Sequence, residues 1–254
     1  MATTGKSVEL TIEGRVARVV LSREARRNSF DTAMLEEFED TIVALGRARG
    51  VEIAVLTGRG PSFCAGTDLK QLEHLTADDT LHWQRRTGEM VERWTRLPLT
   101  TLTAFNGPAI GSGAVLGLAS DLRIAADTTW FTLPEVAFGI PLTWSGVPVL
   151  TAMLGADRVK RALLLRERIE AKEMLSLDLV MSVVEPVELG TETERVLRLL
   201  LESPHLGRMM AKGATTAAAA APGFSTNLYE PYLAAYGVAT RPAGGYDFSK
   251  KDGK

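Results

Sequence analysis

The chain has 254 residues, of which 45% are apolar, and its formal net charge at pH 7 is −2. One large α/β domain is as ordinary at this length as two domains, and the apolar content is enough for a sizeable core. A net charge this close to zero gives no reason to expect a nucleic acid or an anionic membrane surface as a partner.

The cysteine, the histidines and the apolar runs argue against a disulfide-linked, secreted, membrane-spanning or metal-binding protein. Cys64 is the only cysteine, so no disulfide forms within the chain, which suits a reducing cytoplasm. Residues 1–6 lack the apolar run of a signal peptide, and no stretch is long and apolar enough to span a bilayer. The three histidines and Cys64 show no metal-ligand spacing. We therefore expect a cytoplasmic protein without a metal site.

The N-terminal part predicts two strands, a helix and a third strand. Residues 8–12 and 16–21 alternate apolar and polar side chains and are rich in β-branched residues. Asp31, after a charged loop at 23–30, is a good helix N-cap. The residues that follow place apolar side chains at spacings of three and four, which predicts an amphipathic helix. These side chains are Met34, Phe38, Ile42 and Leu45. Residues 53–57 predict a short buried strand.

The middle of the chain contains two glycine-rich loops, each where a strand pattern gives way to a helix pattern. The loop at 58–68 precedes a helical stretch at 69–97 that is interrupted near 76–80. The loop at 106–113 follows a strand at 99–105. It precedes an apolar, small-residue helix, residues 112–119.

The C-terminal part predicts mostly helices. A strand at 122–126 comes first, and a short strand-like insert lies at 181–184. The predicted helices are residues 147–154, 157–165, 193–201, an alanine-rich helix with a break at 213–222, and 225–236. Residues 244–254 are polar, and we expect them to fray or to lie on a neighbouring subunit. Strands alternating with helices early, then helices alone, predict an α/β core with a helical C-terminal part.

The two glycine loops suggest a site for a developing negative charge. Backbone N–H groups at such turns point outward and have no partner inside the helix. Two of them aimed at one spot form an oxyanion hole, and removing one such donor costs about 3–4 kcal/mol of barrier in a well-studied hydrolase. The alternative is two tight glycine turns that only pack a helix against a strand.

Five short sequence motifs, called landmarks below, follow one another within residues 8–185. They are Arg27-Asn28-Ser29-Phe30, Phe63-Cys64-Ala65-Gly66-Thr67-Asp68-Leu69, Asn106-Gly107-Pro108-Ala109-Ile110-Gly111-Ser112-Gly113, Ser120-Asp121-Leu122-Arg123 and Phe131-Thr132-Leu133-Pro134-Glu135. In these landmarks the chain resembles the enoyl-CoA hydratase/isomerase family, also called the crotonase superfamily. The resemblance implies an α/β fold, a spiral of ββα units with a C-terminal helical region. It divides the chain into a core domain at 1–195 and a helical trimerisation region at 196–254.

The resemblance also implies a substrate and an assembly. The substrate is an acyl-CoA thioester, with coenzyme A as part of the substrate and no separate cofactor. The assembly is a homotrimer or a dimer of trimers. By resemblance, the coenzyme A thioester contacts residues of the first two landmarks and of the second glycine loop. These residues are Arg27, Ala65, Gly66, Thr67, Asp68, Leu69, Gly111 and Ser112. Arg23 and Arg26 are further candidates for the phosphates, or members of a solvated charge cluster.

By resemblance, the backbone N–H groups of Ala65 and Ser112 form the oxyanion hole, and Glu135 is the acid/base. A carboxyl group in an apolar pocket has its pKa raised toward the working pH, which suits proton transfer. The other interpretation of Glu135 is a solvated glutamate at the start of a turn. Trp144 either lines the acyl pocket or belongs to the core.

Two positions favour one reaction of the family over others. Hydratases of the family carry a second glutamate at the position of Val115, and dienoyl isomerases carry an acid at the position of Thr143. A single glutamate suffices to move a double bond from the β,γ to the α,β position through an enolate. We therefore expect isomerisation. The alternatives are hydration, decarboxylation, thioester cleavage, and a non-catalytic acyl-CoA-binding protein.

Overall fold

The computed structural model describes residues 3–4, 7–73 and 75–220, and the following elements are those of these residues. The strands are β1 (Thr3–Thr4), β2 (Val8–Glu13), β3 (Val16–Leu21), β4 (Ile53–Gly58), β5 (Thr100–Phe105), β6 (Ala109–Ile110), β7 (Leu122–Ala126), β8 (Trp130–Thr132), β9 (Ile169–Glu170) and β10 (Val183–Val184). The α-helices are α1 (Thr32–Arg47), α2 (Leu69–Glu73), α3 (Ala77–Thr95), α4 (Ser112–Leu118), α5 (Gly146–Leu154), α6 (Ala156–Leu165), α7 (Ala171–Ser176), α8 (Leu189–Glu202) and α9 (His205–Ala220).

The main sheet is antiparallel at one edge and parallel beyond it. Within the described residues its order is β1-β2-β3-β4-β5-β7-β10. The first three strands pair antiparallel, and the pairs from β3 to β10 are parallel. Parallel neighbours need crossover connections, and the helices between these strands provide them. The core strands β4 and β5 are almost continuously apolar or buried because helices cover both faces.

A smaller sheet positions the second glycine loop. In the described part of the chain it has the order β6-β8-β9. Ala109 pairs with Phe131 and Ile110 with Thr132 in parallel register. The Gly111 N–H then donates to the Thr132 carbonyl oxygen at 2.9 Å. This pairing ties the loop before α4 to the strand that precedes Glu135. The three short strands of this sheet are absent from the sequence prediction.

Helix capping explains two boundaries. The Asp31 side chain accepts a hydrogen bond from the Met34 N–H at 2.9 Å, which confirms the predicted N-cap of α1. Thr76 and Asp79 form a capping box, in which each side chain accepts the other residue's backbone N–H. The capping box starts α3 at Ala77. The predicted helical stretch at 69–97 is therefore two helices, α2 and α3.

The core continues from the sheet into an aromatic row. Phe30, Phe38 and Trp94 are fully buried. The Phe30 and Phe38 ring centroids are 5.7 Å apart, and those of Phe38 and Trp94 are 5.5 Å apart. All seven residues of α4 are buried, and a Cβ on Gly117 would lie 2.3 Å from the Phe105 ring. The small residues of α4 are therefore required by close packing.

Several C-terminal predictions change. The predicted boundary after residue 195 falls inside α8, where Val196 and Leu197 are buried in a cluster with the sheet residues Val55 and Leu102. Helix α8 therefore packs against the sheet, and the division into a core domain and a trimerisation region stays a prediction. Helix α9 begins eight residues before the predicted alanine-rich helix. The predicted break near 222, the helix at 225–236 and the tail at 244–254 lie outside the described residues. No helix in the described ranges is long and apolar enough to cross a membrane.

Lys212 joins α9 to the residues just before β5 and β7, and we expect this contact to contribute to stability. Its Nζ donates to the Leu99 carbonyl oxygen at 2.7 Å and lies 2.8 Å from Asp121 Oδ2, and its side chain is only 10% exposed. We expect Lys212→Met to lower the free energy of unfolding by about 1–3 kcal/mol, because hydrogen bonds to a charged group are lost. Urea denaturation measures this change.

The matched control is Lys160→Met, which breaks a pair with Asp157 in which both side chains are exposed. We expect it to change the free energy of unfolding by less than about 0.5 kcal/mol. Equal effects of the two substitutions would contradict the role of Lys212.

Candidate active site

Asn28 shapes the first glycine loop. The side chain is fully buried. Its Nδ2 donates to the carbonyl oxygens of Arg59 at 3.0 Å, Ser62 at 2.9 Å and Phe63 at 3.1 Å. Its own backbone is left-handed, with φ +57°, a conformation in which asparagine is enriched. The loop's carbonyl groups are thus turned toward Asn28, on the inner side of the loop.

The two glycine loops contact each other through their backbones. The Phe63 N–H donates to the Pro108 carbonyl oxygen at 3.0 Å, and the Ile110 N–H donates to the Cys64 carbonyl oxygen at 2.9 Å. A Cβ on Gly113 would lie 2.4 Å from that Cys64 oxygen. Only glycine permits this approach. The loops predicted from sequence to act together are therefore adjacent in the fold.

One predicted oxyanion donor has an acceptor inside the protein. The Ala65 N–H donates to the Arg27 carbonyl oxygen at 3.0 Å. A donor with an internal partner has to exchange that hydrogen bond to bind a substrate oxygen, as the Ser112 N–H described below would exchange its bond to Glu135. Ala65 lies beside the second loop, and its role as an oxyanion donor stays a prediction.

Thr67 lies in the same loop and forms a parallel bridge with Phe30. The Phe30 N–H donates to the Gly66 carbonyl oxygen, and the Asp68 N–H donates to the Phe30 carbonyl oxygen, both at 2.8 Å. In this parallel bridge the Thr67 N–H is turned away from Phe30, and among the described residues it has no acceptor. Sequence reasoning missed this difference because it depends on the pairing of the loop with residue 30.

Ser112 presents the donor of the second loop. It is the first residue of α4, so its N–H has no acceptor within the helix. Gly111 turns the chain into the helix with φ +55°. The Ser112 N–H faces the Glu135 carboxyl, where it favours the charged form. The start of α4 and Glu135 are therefore neighbours, as the sequence prediction requires.

Glu135 is a buried carboxyl group with an altered pKa. It follows Pro134 at the start of a short 3-10 helix, Glu135–Phe138, and is only 7% exposed. Burial raises the pKa of Glu135 from its usual 4.5 to about 7, against the opposing effect of backbone N–H groups. Its Oε2 atom has no hydrogen-bond partner in the described part of the protein. A group with this pKa can take and return a proton near neutral pH.

The segment 142–146 packs against the buried helix α4. Val115 is fully buried, and a Cβ on Gly146 would lie 2.8 Å from its Cγ2 atom. Ser112 Oγ and Thr143 Oγ1 are 3.3 Å apart and buried, so the contact has a polar part. Val115 and Thr143, where the resemblance places acids in other members, therefore both lie at the contact between α4 and this segment.

A cleft leads from the glycine loops to the surface. It has a volume of about 200 Å³ and is lined by Arg27, Ser62, Ala65, Pro108, Ile110 and Trp130. Arg27 is exposed, so its guanidinium is accessible from this cleft. The cleft therefore brings Arg27 and residues of both glycine loops together at one opening.

Arg23 and Asp68, two charged candidates for ligand binding, form an ion pair with each other. The Arg23 guanidinium lies 2.8 Å from a carboxylate oxygen of Asp31 and 2.8 Å from one of Asp68, and it donates to the Ser29 carbonyl oxygen at 2.9 Å. Arg23 and Asp68 are therefore a structural pair that fastens the loop to the start of α1. The Arg23 guanidinium thus has partners within the protein, and its contact with a ligand phosphate stays a prediction.

The remaining binding candidates lie along the same stretch. Gly66 is buried with φ +78°, and a Cβ there would lie 3.3 Å from the Ser112 nitrogen. Leu69 is half-buried at the start of α2. Thr67 is also half-buried. All three stay predictions as contacts of a ligand.

Cys64 offers no reactive thiol. It is fully buried, and burial raises the pKa of its thiol to about 12. Its Sγ donates to the Asn28 carbonyl oxygen at 3.1 Å. Within residues 3–4, 7–73 and 75–220, no group of three His, Cys, Asp or Glu side chains is placed to bind a metal ion.

Comparisons with known proteins find similar sequences and similar folds. The family model described as enoyl-CoA hydratase/isomerase matches residues 11–229. A crotonyl-CoA hydratase from Syntrophomonas wolfei is 28% identical over 210 residues, covering 82% of this chain and 81% of that protein. An enoyl-CoA isomerase/hydratase from Mycosarcoma maydis is 30% identical over 183 residues, covering 68% and 66%. The crystal structure of a Thermobifida fusca protein in complex with acetoacetyl-CoA has a TM-score of 0.77 at 28% identity, covering 91% and 93%.

The contact between Gly111 and Glu135 generates a second stability prediction. A Cβ on Gly111 would lie 2.2 Å from Glu135 Oε1. Gly111→Ala therefore combines backbone strain, about 1–3 kcal/mol, with displacement of the carboxyl group, about 1–3 kcal/mol more. We expect the free energy of unfolding, measured in urea, to fall by the sum of the two.

Gly155→Ala is the matched control. Gly155 also has a positive φ, +75°, but a Cβ there meets nothing within 4 Å. Its substitution should cost the backbone strain alone. If the two variants lose the same stability, Glu135 does not lie against Gly111 as described.

Proposed function

The chain belongs to the enoyl-CoA hydratase/isomerase family, and on this basis we propose that it isomerises a β,γ-enoyl-CoA thioester to its α,β isomer. The observation that supports this reaction is the buried carboxyl group of Glu135, with a pKa of about 7, beside the first N–H of α4. Val115 lies on the same helix, where hydratases of the family carry a second glutamate, and its side chain cannot activate water.

The reaction needs one proton carrier and one site for negative charge. The Glu135 carboxylate removes a proton from the α-carbon, and the electron pair of that C–H bond moves to the thioester carbonyl to form an enolate. The backbone N–H groups of Thr67 and Ser112 stabilise the enolate oxygen. Glu135 then returns the proton to the γ-carbon, the double bond moves to the α,β position, and the carboxylate is restored.

We propose Thr67 in place of Ala65 as the first donor. The Ala65 N–H is engaged with Arg27, whereas the Thr67 N–H has no acceptor in the described ranges. Ser112 supplies a backbone donor whatever its side chain, and its hydroxyl group is engaged with Thr143. The proposed donor in the first loop then lies two positions after the predicted one, and the donor in the second loop is unchanged.

The Ser112 N–H couples the two parts of the mechanism. Without substrate it favours the charged form of Glu135. When a thioester oxygen takes this donor, Glu135 loses one of the groups that lower its pKa. We therefore expect the pKa of Glu135 to rise as the enolate forms, which makes the carboxyl group a better proton donor to the γ-carbon.

The cleft at Arg27 is our proposed path for coenzyme A. The planar guanidinium group suits phosphate oxygens, and the cleft continues to Ala65 and Ile110 of the two loops. Coenzyme A enters as part of the substrate, with no separate cofactor. A homotrimer or dimer of trimers in the cytoplasm is part of the same proposal.

Hydration is the second candidate, and one observation favours it. The hydroxyl groups of Ser112 and Thr143 are a buried polar pair beside the start of α4, and two hydroxyl groups can hold a water molecule. The Syntrophomonas wolfei relative is itself named a hydratase. In this reaction Glu135 alone would activate the water and protonate the α-carbon.

Substitution of Glu135 tests its role in either reaction. We expect Glu135→Gln to lower kcat by about 10²–10⁴, because positioned acid–base catalysis is lost. For the wild type, kcat/KM should rise with pH and level off above about 7, because the deprotonated carboxylate is the active form and burial raises its pKa to about 7.

The control is Glu188→Gln, an exposed glutamate at the end of another 3-10 helix. It should leave both kcat and the pH profile unchanged. Because the raised pKa of Glu135 destabilises the folded chain as pH rises from about 4.5 to 7, Glu135→Gln should gain stability over the wild type as pH rises through that range. Unchanged turnover in folded Glu135→Gln would remove Glu135 from the mechanism.

The mass of the product distinguishes the two reactions. We expect protein incubated with β,γ-enoyl-CoA to give a product of unchanged mass and a different retention time in liquid chromatography with mass spectrometry. With α,β-enoyl-CoA we expect no product heavier by one water. A hydrated product as the main species would show that Glu135 suffices for hydration and would overturn isomerisation as the principal activity.

A further inference from the structure

The proposed site has an outer and an inner side. The cleft at Arg27 and Trp130 opens the outer side to the surface. On the inner side, the segment 142–146 packs over the start of α4, with Thr143 against Ser112 and Gly146 against Val115. A charged coenzyme A has to stay on the outer side, so an apolar acyl group points toward segment 142–146.

Trp144 occupies the middle of this inner side. It is fully buried, and its ring contacts the Phe30 ring edge to face with centroids 4.9 Å apart. Phe30 is paired through its backbone with the loop residue Thr67. Thr143, the preceding residue, contacts Ser112. The indole therefore lies between the segments that carry the two proposed oxyanion donors.

An aromatic row lies behind Trp144. Phe30 contacts Phe38, and Phe38 contacts Trp94, so the rings continue from Trp144 into the core. On another side, the Ser145 hydroxyl group donates to the Gly88 carbonyl oxygen of α3 at 3.4 Å. Trp144 is therefore backed by a packed core, and an acyl group that reaches it meets an end wall.

The conformation of Trp144 is unfavourable in two ways. Trp144 and Ser145 both have left-handed backbones, with φ +60° and +59°, which is uncommon for residues other than glycine. The Trp144 Nε1 has no hydrogen-bond partner within the described part of the chain, although the side chain is buried. Strained and unsatisfied residues of this kind cluster at ligand-binding sites. Both features indicate that packing alone does not account for tryptophan at this position.

We propose that Trp144 is the specificity-determining residue that closes the acyl side of the site and restricts the protein to short, unbranched acyl-CoA thioesters. The inference rests on the proposed function, since it takes Glu135, Thr67 and Ser112 as the reacting centre. It adds the substrate class and names the side chain that sets it.

Binding measurements with saturated thioesters test the proposal without requiring turnover. Calorimetry with butyryl-CoA, hexanoyl-CoA and decanoyl-CoA should show the tightest binding for butyryl-CoA in the wild type. Trp144→Ala should reverse this order, because each pair of methylene groups that gains a buried site strengthens binding by about tenfold.

The matched control is Trp83→Ala. Trp83 is also buried with an unpaired Nε1, but it lines a separate cleft on α3 with Thr32, Gln71 and Leu75. Its substitution should keep the wild-type order of affinities. If Trp144→Ala does not fold, Trp144→Phe retains a ring against Phe30 and should shift the preference toward hexanoyl-CoA.

Two outcomes would overturn the proposal. One is wild-type protein that binds decanoyl-CoA at least as tightly as butyryl-CoA. The other is a folded Trp144 variant with an unchanged order of affinities. Failure of the proposed function is separate: the wild type would bind butyryl-CoA with the expected preference and yet convert no enoyl-CoA, and the assignment of Trp144 would then stand.

Discussion

The close backbone approach of the two glycine loops is the constraint on which the site depends. Hydrogen bonds from Phe63 and Ile110 join the loops, and Gly113 leaves room for the Cys64 carbonyl oxygen. Any side chain at Gly113 would force the loops apart. Because each loop is followed by a helix, this contact brings two loop–helix junctions from distant parts of the chain together.

Desolvation turns this arrangement into a chemical site. Glu135 is buried beside the start of α4, so burial raises its pKa to about 7 while the Ser112 N–H still favours its charged form. The hydroxyl groups of Ser112 and Thr143 beside the start of α4 are polar but uncharged. The raised pKa of Glu135 thus comes from burial, which the nearby N–H group only partly offsets.

Local chemistry made much of this predictable. Asp31 caps α1 as expected, because an N-cap needs only its own side chain and the next turn of backbone. The main strands and the division near residue 76 likewise follow from patterns within a few residues. The short strands β6, β8 and β9 were not predicted, because two or three residues carry no periodicity and form strands only through their partners. The pairing of Arg23 was not predicted for the same reason, since its partner Asp68 is distant in sequence.

The sequence by itself determined the family, the order of the main strands and helices, the two glycine loops and Glu135 as a candidate, because these depend on residue types at short spacings. Only the tertiary structure decided which backbone N–H groups have an acceptor inside the protein. Ala65 and Thr67 are two residues apart, and their difference comes from pairing with residues 27 and 30. The environment of Glu135 was decided in the same way. A pKa depends on the groups that surround a carboxyl group in space, and for Glu135 these include Gly111 and the first N–H of α4.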